Sequence, residues 1–415
     1  MIKKNNTGNK KSAYLKENYG RNILPLSIIE NTCFPGYGSI EIFLYYKKET
    51  PVEKLIESLW KAVGHYNIFS SRLIMIDDNK FALQYCTDGM IVNVLPPVDV
   101  ASDNINIDDI KKMMMHVQTL PGEPLFAVTG IPLKDGILGA ISCSHALVDG
   151  ISLMLFLYVW GCIIEGRDFP PPSPQRLFKG HPVSVDEIDT IFIPPLAALS
   201  PEIQNRVQSS QGIKTYTTGE YLSDEFIHEI KNQSPSENAE HVMSDHQIIT
   251  SFLLKKYHDA LLPDADKIRL ITPVDLRNVH SGIDAIYMGN AVITGVAEFT
   301  KDEIRDMSLH QIAWRIKQSV IRPRDENRVK QMSYVSEHGV EFNDDILKNH
   351  IPPDIERDIV SINLTHLSDL ESLGLGSDIG SILYVSAGSV QANFTMLKEK
   401  SGRIFVQITG RYPFV

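Results

Sequence analysis

The stretch from residue 139 to residue 164 constrains the fold of this chain more than any other. Gly139-Ala140-Ile141-Ser142-Cys143-Ser144 is small and apolar like a buried strand, and the run from Ile151 through Trp160 to Ile164 is apolar enough for a core helix. Between them stands His145-Ala146-Leu147-Val148-Asp149-Gly150. A histidine at the end of a buried strand, with an aspartate four residues later before a glycine turn, suggests a base and its organiser. Imidazole titrates near neutral pH, so it can take a proton from a hydroxyl or an amine without an activating metal.

At 415 residues the chain exceeds what one core comfortably holds, so two lobes are expected. Hydrophobic residues at 43% and charged residues at 22% are ordinary for a globular protein, and a net charge of −11 argues against nucleic acid or an anionic membrane as a partner held by bulk attraction. The run ending at Ile164 is too short for a membrane span. Met1 to Lys11 is polar and basic with no apolar core behind it, which reads as a frayed tail and not a signal peptide. Cys33, Cys86, Cys143 and Cys162 are scattered, without a C-x-x-C pair, so neither disulfides nor a zinc site is expected. A cytoplasmic, reduced, metal-free protein is the plain expectation, and a monomer suffices if the two lobes hold the whole site.

Strands and helices alternate from the start. Residues 38–46 read as a strand. Apolar residues at 52, 55, 56, 59, 60 and 63 predict a helix opened by Pro51. Arg72 to Ile76 and Lys80 to Tyr85 predict a hairpin, and Leu125 to Ile131 and Leu138 to Cys143 two more strands. Phe169-Pro170-Pro171-Pro172-Ser173-Pro174 then breaks the pattern. The expected division is an N-terminal lobe over 1–185, a crossover linker over 186–213 and a C-terminal lobe over 214–415. The second lobe restarts with a strand over 214–221, a helix capped by Ser223, and a capping box at Ser244 and Gln247 leading into a helix over 248–261. There is no internal repeat or low-complexity tract.

An H-x-x-x-D-G string alone is common, but several segments appear in order around this one. Leu55 to Val63 with His65-Tyr66 and Ser71-Arg72-Leu73, Pro170-Pro171-Pro172 with Gln175-Arg176-Leu177, and Pro273-Val274-Asp275-Leu276-Arg277 with Tyr287-Met288-Gly289-Asn290 cover nearly the whole chain. Together they resemble the BAHD acyltransferases of the chloramphenicol acetyltransferase and condensation-domain superfamily. Ser144, where condensation domains carry a first histidine, favours the BAHD-like branch. One motif departs: the "DFGWGKP" segment is reduced to Ser377-Asp378-Ile379-Gly380-Ser381-Ile382, without tryptophan or lysine.

The resemblance implies an α/β fold of two similar lobes, each a mixed sheet with flanking helices, with an active-site channel between them. It implies acyl transfer from an acyl-CoA co-substrate to a hydroxyl or amine of a small, specialised metabolite, as in antibiotic tailoring, with no bound cofactor and no covalent acyl-enzyme. His145 would be the general base. Asp149 would be structural and pair with Arg277, the orienting of imidazole in a triad being the alternative, and Gly150 would let the turn close against a neighbouring strand. Ser361, Asn363 and Thr365 alternate onto one face of a segment resembling "tSWxrL"; Asn363 is the first choice for oxyanion donor, with Asn290 a second candidate that could instead hold a turn. Cys143 falls in strand alternation with His145, so a nucleophilic thiol stays open. A carrier-protein thioester donor and a catalytically silent binding protein on the same fold are the rival readings.

Overall fold

The apolar run ending at Ser144 becomes a strand with every residue buried, Gly136–Ser144, and such a strand must be covered on both faces. The computed structural model describes residues 23–26, 39–47, 50–77, 80–86, 89–171, 214–232, 242–277, 283–321, 354–365, 379–386, 392–398 and 402–414, with a few isolated positions between. The basic tail, the proline segment from Pro172 onward and the expected linker 186–213 lie outside the described residues. Elements are numbered along the chain. Two compact units emerge, Met1–Phe178 with Ile286–Asn290 and Gly374–Gly388, and Lys179–Ala285 with Ala291–Leu373 and Ser389–Val415. Two short stretches of the second half therefore group with the first unit.

The first unit contains β1 (Ile23–Pro25), β2 (Ser39–Lys47), α1 (Val52–His65), β3 (Ser71–Asp77), β4 (Lys80–Tyr85), β5 (Met90–Val94), α2 (Ile107–Met113), β6 (Phe126–Pro132), β7 (Gly136–Ser144) and α3 (Gly150–Glu165), to which β12 (Ile379–Ser386) is added late in the chain. Its main sheet runs β12-β2-β7-β6-β5. Only β5 and β6 pair in parallel there. A second sheet, β1-β4-β3, contains the expected hairpin. Pro51 stands at the N-cap of α1, as its fixed φ allows. Ten of the sixteen residues of α3 are buried, and each large apolar one contributes about 1.5–3 kcal/mol. Phe156 stacks on Phe69 at 3.9 Å and meets Phe126 edge-on at 5.5 Å. The indole of Trp160 donates to Ser58 Oγ at 2.9 Å, satisfying a buried polar pair between α3 and α1. Gly166 ends α3 with φ +69°, a left-handed cap suited to glycine.

The second unit contains β8 (Tyr216–Leu222), α4 (Asp224–Asn232), α5 (Asp245–Leu261), β9 (Lys267–Asp275), β10 (Val292–Thr300), α6 (Lys301–Asp306), α7 (Leu309–Ile321), β11 (Asp358–Asn363), β13 (Ala392–Lys398) and β14 (Ile404–Gly410). Its sheet order is β10-β9-β11-β13-β14-β8. Strand β11 lies parallel to both neighbours, and the other pairs are antiparallel. The capping box predicted for α5 is complete, with Ser244 Oγ accepting from Gln247 N and Gln247 Oε1 accepting from Ser244 N. Leu253, Leu254, Leu270, Phe299, Phe394 and Val406 are among the side chains of this unit's core. The fold is mixed α/β, as expected. Among the described residues, no helix is long and apolar enough to cross a membrane.

Candidate active site

His145 stands in the turn that follows β7, and the turn is held from both ends. Leu147 N donates to Ser144 O at 3.0 Å, and Asp149 caps α3 by accepting from Ser152 N at 2.8 Å. An aspartate at an N-cap satisfies an otherwise orphaned N–H and faces the positive end of the helix. Asp149 is buried, with 1% of its surface exposed. A Cβ built on Gly150 meets no described atom within 4 Å. The close approach to a neighbouring strand expected of Gly150 is thus replaced by open space, and its place is the first residue of α3.

The segment 287–290 is stitched to this turn from 135 or more residues away in sequence. Ser152 Oγ accepts from Gly289 N at 3.0 Å and lies 2.8 Å from Gly289 O, its nearer acceptor, with Tyr287 O at 3.2 Å. Asp149 N donates to Gly289 O at 3.3 Å. Asn290 then meets His145 twice: its Nδ2 donates to the His145 carbonyl at 2.7 Å, and its Oδ1 faces His145 Nδ1 at 3.1 Å. The first contact fixes which end of the amide is which. With Nδ2 committed to a carbonyl, Oδ1 must accept, so Nδ1 carries the ring proton and the basic lone pair falls on Nε2. Burial lowers the imidazole pKa below its ordinary 6.5, against smaller opposing effects of the Asp149 charge and the Asn290 hydrogen bond. At neutral pH the ring is therefore an uncharged base.

Cys143 is fully buried, and burial pushes its thiol far up. A thiol in that state supplies little thiolate, which argues against the nucleophilic reading. Among the described residues, no group of three or more His, Cys, Asp or Glu side chains is placed to hold a metal ion.

His145, Asp149, Gly150 and Asn290 belong to the first unit, whereas Arg277, Ser361, Asn363 and Thr365 belong to the second. The buried Arg277 guanidinium donates from Nη1 to Asp275 Oδ1 at 2.8 Å. Asn363 Oδ1 accepts from Thr365 N at 3.0 Å and Thr365 Oγ1 at 2.7 Å, so the amide nitrogen is the end left to donate. Ser361 Oγ, fully buried, lies 2.8 Å from Thr250 Oγ1 and 3.0 Å from His246 Nε2. Ile379 to Ile382 of the eroded motif begin β12, and Ser377 and Asp378 lie outside the described residues.

Sequence reasoning passed over Ser152. Its signal was a hydroxyl three residues after Asp149 in an otherwise apolar helix start. Ser152→Ala should remove the hydroxyl to which Gly289 N donates and destabilise the protein by about 1–3 kcal/mol, read as a lower denaturation midpoint. An unchanged midpoint would mean that the 287–290 segment is held without it.

The turn presents an imidazole from the end of a buried strand in a mixed α/β fold, with Asn290 on its Nδ1. The sequence pattern of the Transferase family matches residues 14–351. The chain belongs to that family, the BAHD branch toward which its ordered motifs pointed. It is 23% identical over 291 residues to an uncharacterised acetyltransferase of Arabidopsis thaliana, a match that takes in 62% of this chain and 61% of the relative. The chain thus spans less than two thirds of that relative's length. In fold it is similar to F. sporotrichioides TRI101 in complex with coenzyme A and T-2, with a TM-score of 0.70, 15% identity, and coverage of 94% of this chain and 95% of that one. It is also similar to vinorine synthase, with a TM-score of 0.61, 13% identity, and coverage of 94% and 92%.

Proposed function

We propose that the chain is an acyltransferase that moves an acyl group from an acyl-CoA thioester to a hydroxyl or amine of a small metabolite, with His145 as general base. The observation that carries the reading is the Asn290 amide, which fixes the neutral tautomer of His145 with its lone pair on Nε2. In this reading Nε2 takes the proton of the acceptor O–H or N–H as the acceptor atom attacks the thioester carbonyl. The C–S bond of the tetrahedral intermediate then breaks, and the imidazolium returns the proton to the leaving thiolate. No protein–acyl bond forms at any stage, consistent with the inert environment of Cys143. Asp149 serves the fold through the cap of α3. Asn363 is the oxyanion donor of this proposal, on the strength of an amide already oriented by Thr365. Coenzyme A as the donor's carrier draws support from its presence in the TRI101 complex.

The test is mass spectrometry of the purified protein with a panel of acyl-CoA donors, the same acyl groups on a carrier protein, and a metabolite extract. Mass gains that need acyl-CoA and are lost in His145→Ala are expected. Products made only from the carrier-bound donor would replace acyl-CoA in the reading, and products made equally by His145→Ala would remove the general base.

A further inference from the structure

The sheet face beneath the His145 turn carries a row of buried hydroxyls that the proposed chemistry does not use. Thr129, Ser142 and Ser144 are each fully buried in β6 and β7. Thr129 pairs with Ala140, so the three hydroxyls stand at successive same-face positions beside residues 140, 142 and 144 of β7. Buried hydroxyls are costly unless bonded, and here one short segment meets all three. Met115 N donates to Thr129 Oγ1 at 2.9 Å, Val117 N donates to Ser142 Oγ at 3.2 Å, and Thr119 Oγ1 lies 2.6 Å from Ser144 Oγ. Alternate residues of the segment thus engage one hydroxyl of β6 and two of β7. Between them, His116 points Nδ1 at Glu41 Oε1, 2.8 Å away, and Nε2 at Lys111 O, 2.6 Å away. Both partners are acceptors, which suits the doubly protonated ring and pins the middle of the segment to β2.

The last contact reaches the reactive turn. Ser144 Oγ also accepts from Ala146 N at 3.2 Å, the backbone N–H that follows His145. Thr119 is thus one hydroxyl away from the main chain that aims the imidazole. We propose that Thr119 and Ser144 are positioning residues for His145: their hydroxyl pair fixes the Ala146 amide and, through it, the direction of the His145 side chain. The inference rests on the reading of His145 as the base, but the hydroxyl coupling can be measured without any turnover.

Thr119→Val removes the hydroxyl at nearly constant shape, and Thr119→Ser restores it without the methyl group. Three readouts apply to both variants: hydrogen exchange at the Ala146 amide, NMR titration of the His145 ring (assigned by its loss in His145→Gln), and kcat and KM for acyl transfer. In Thr119→Val, exchange at Ala146 should quicken about tenfold, the worth of one hydrogen bond. The His145 titration should move up toward its ordinary value, and kcat should fall about tenfold with the thioester KM nearly unchanged. Thr119→Ser should restore all three. Ser144→Ala should act in the same direction, and adding Thr119→Val to it should change little further.

Wild-type exchange and titration in Thr119→Val would overturn the proposal, as would a Thr119→Ser variant as impaired as Thr119→Val. If no acyl transfer is found with any donor, the assignment of His145 fails on its own. The exchange and titration data still decide the hydroxyl coupling.

Discussion

Alanine at position 145 should cut the rate of acyl transfer by about 10²–10⁴-fold, the usual worth of a positioned general base, while the protein melts close to the wild type. The side chain is partly exposed at the end of a turn whose shape rests on backbone and Ser144, Asp149 and Ser152 contacts, so its removal opens no large cavity. The pH profile adds an independent check. Burial lowers the imidazole pKa from 6.5, so the base form dominates at neutral pH, and kcat/KM should fall only as pH drops through a value below 6.5. A variant with wild-type rate, or an acid limb above that value, would assign the proton transfer elsewhere.

The largest effect on stability is expected in the second unit. Arg269 and Asp358 stand opposite each other in the β9–β11 register, and Arg269 Nε donates to Asp358 Oδ1 at 2.6 Å. Their side chains are 4% and 0% exposed. Asp354 N donates to the second carboxylate oxygen at 2.7 Å. Burial pushes the Asp358 carboxyl up to about 6 even though the guanidinium beside it pulls the other way. Arg269→Met fills similar space and leaves that charge without its cation, a loss of about 3–5 kcal/mol from a total that is usually about 5–15 kcal/mol.

The pH dependence of that loss has a fixed sign. With the guanidinium gone, the folded carboxyl titrates higher still, above its unfolded value near 3.8. The folded state then binds the proton first, so the variant should gain stability as pH falls from neutral toward 5. Replacing Asp358 with leucine in the same chain should recover part of the loss. Denaturation midpoints at several pH values decide the matter; a variant as stable as the parent at pH 7 would mean that water reaches the pair.

Local signals in the sequence were easier to read than distant ones, for a physical reason. β7 and α3 were legible because unbroken apolar runs have few places to go except inside a protein. The α5 capping box was legible because its hydrogen bonds are local. Asn290 and His145 meet across 145 residues, and nothing in the spacing of Tyr287-Met288-Gly289-Asn290 says which turn it will close on. The sequence placed Asn290 second to Asn363 as an oxyanion donor; the structure shows its oxygen on His145 Nδ1, where it orients the ring. Thr119 and Ser152 were missed, and Ser144 was noted only as a mark of the BAHD-like branch, because a hydroxyl scores as neutral in any apolar pattern. Its meaning lies in the partner, and the partner is supplied by tertiary structure.

The first sheet borrows its edge from late in the chain. β12 covers the outer side of β2 from Tyr46 to Glu41, so a growing polypeptide carries that side open until residues 379–386 have left the ribosome. Closing so long a loop is thermodynamically mild, since each doubling of length adds only about 0.6 kcal/mol, but it comes late and is slow. In the interval the exposed backbone of β2 is a template for strand addition by any neighbouring chain. A chain cut short before Ile379 lacks the strand that covers β2, and it should therefore expose that backbone edge to its neighbours.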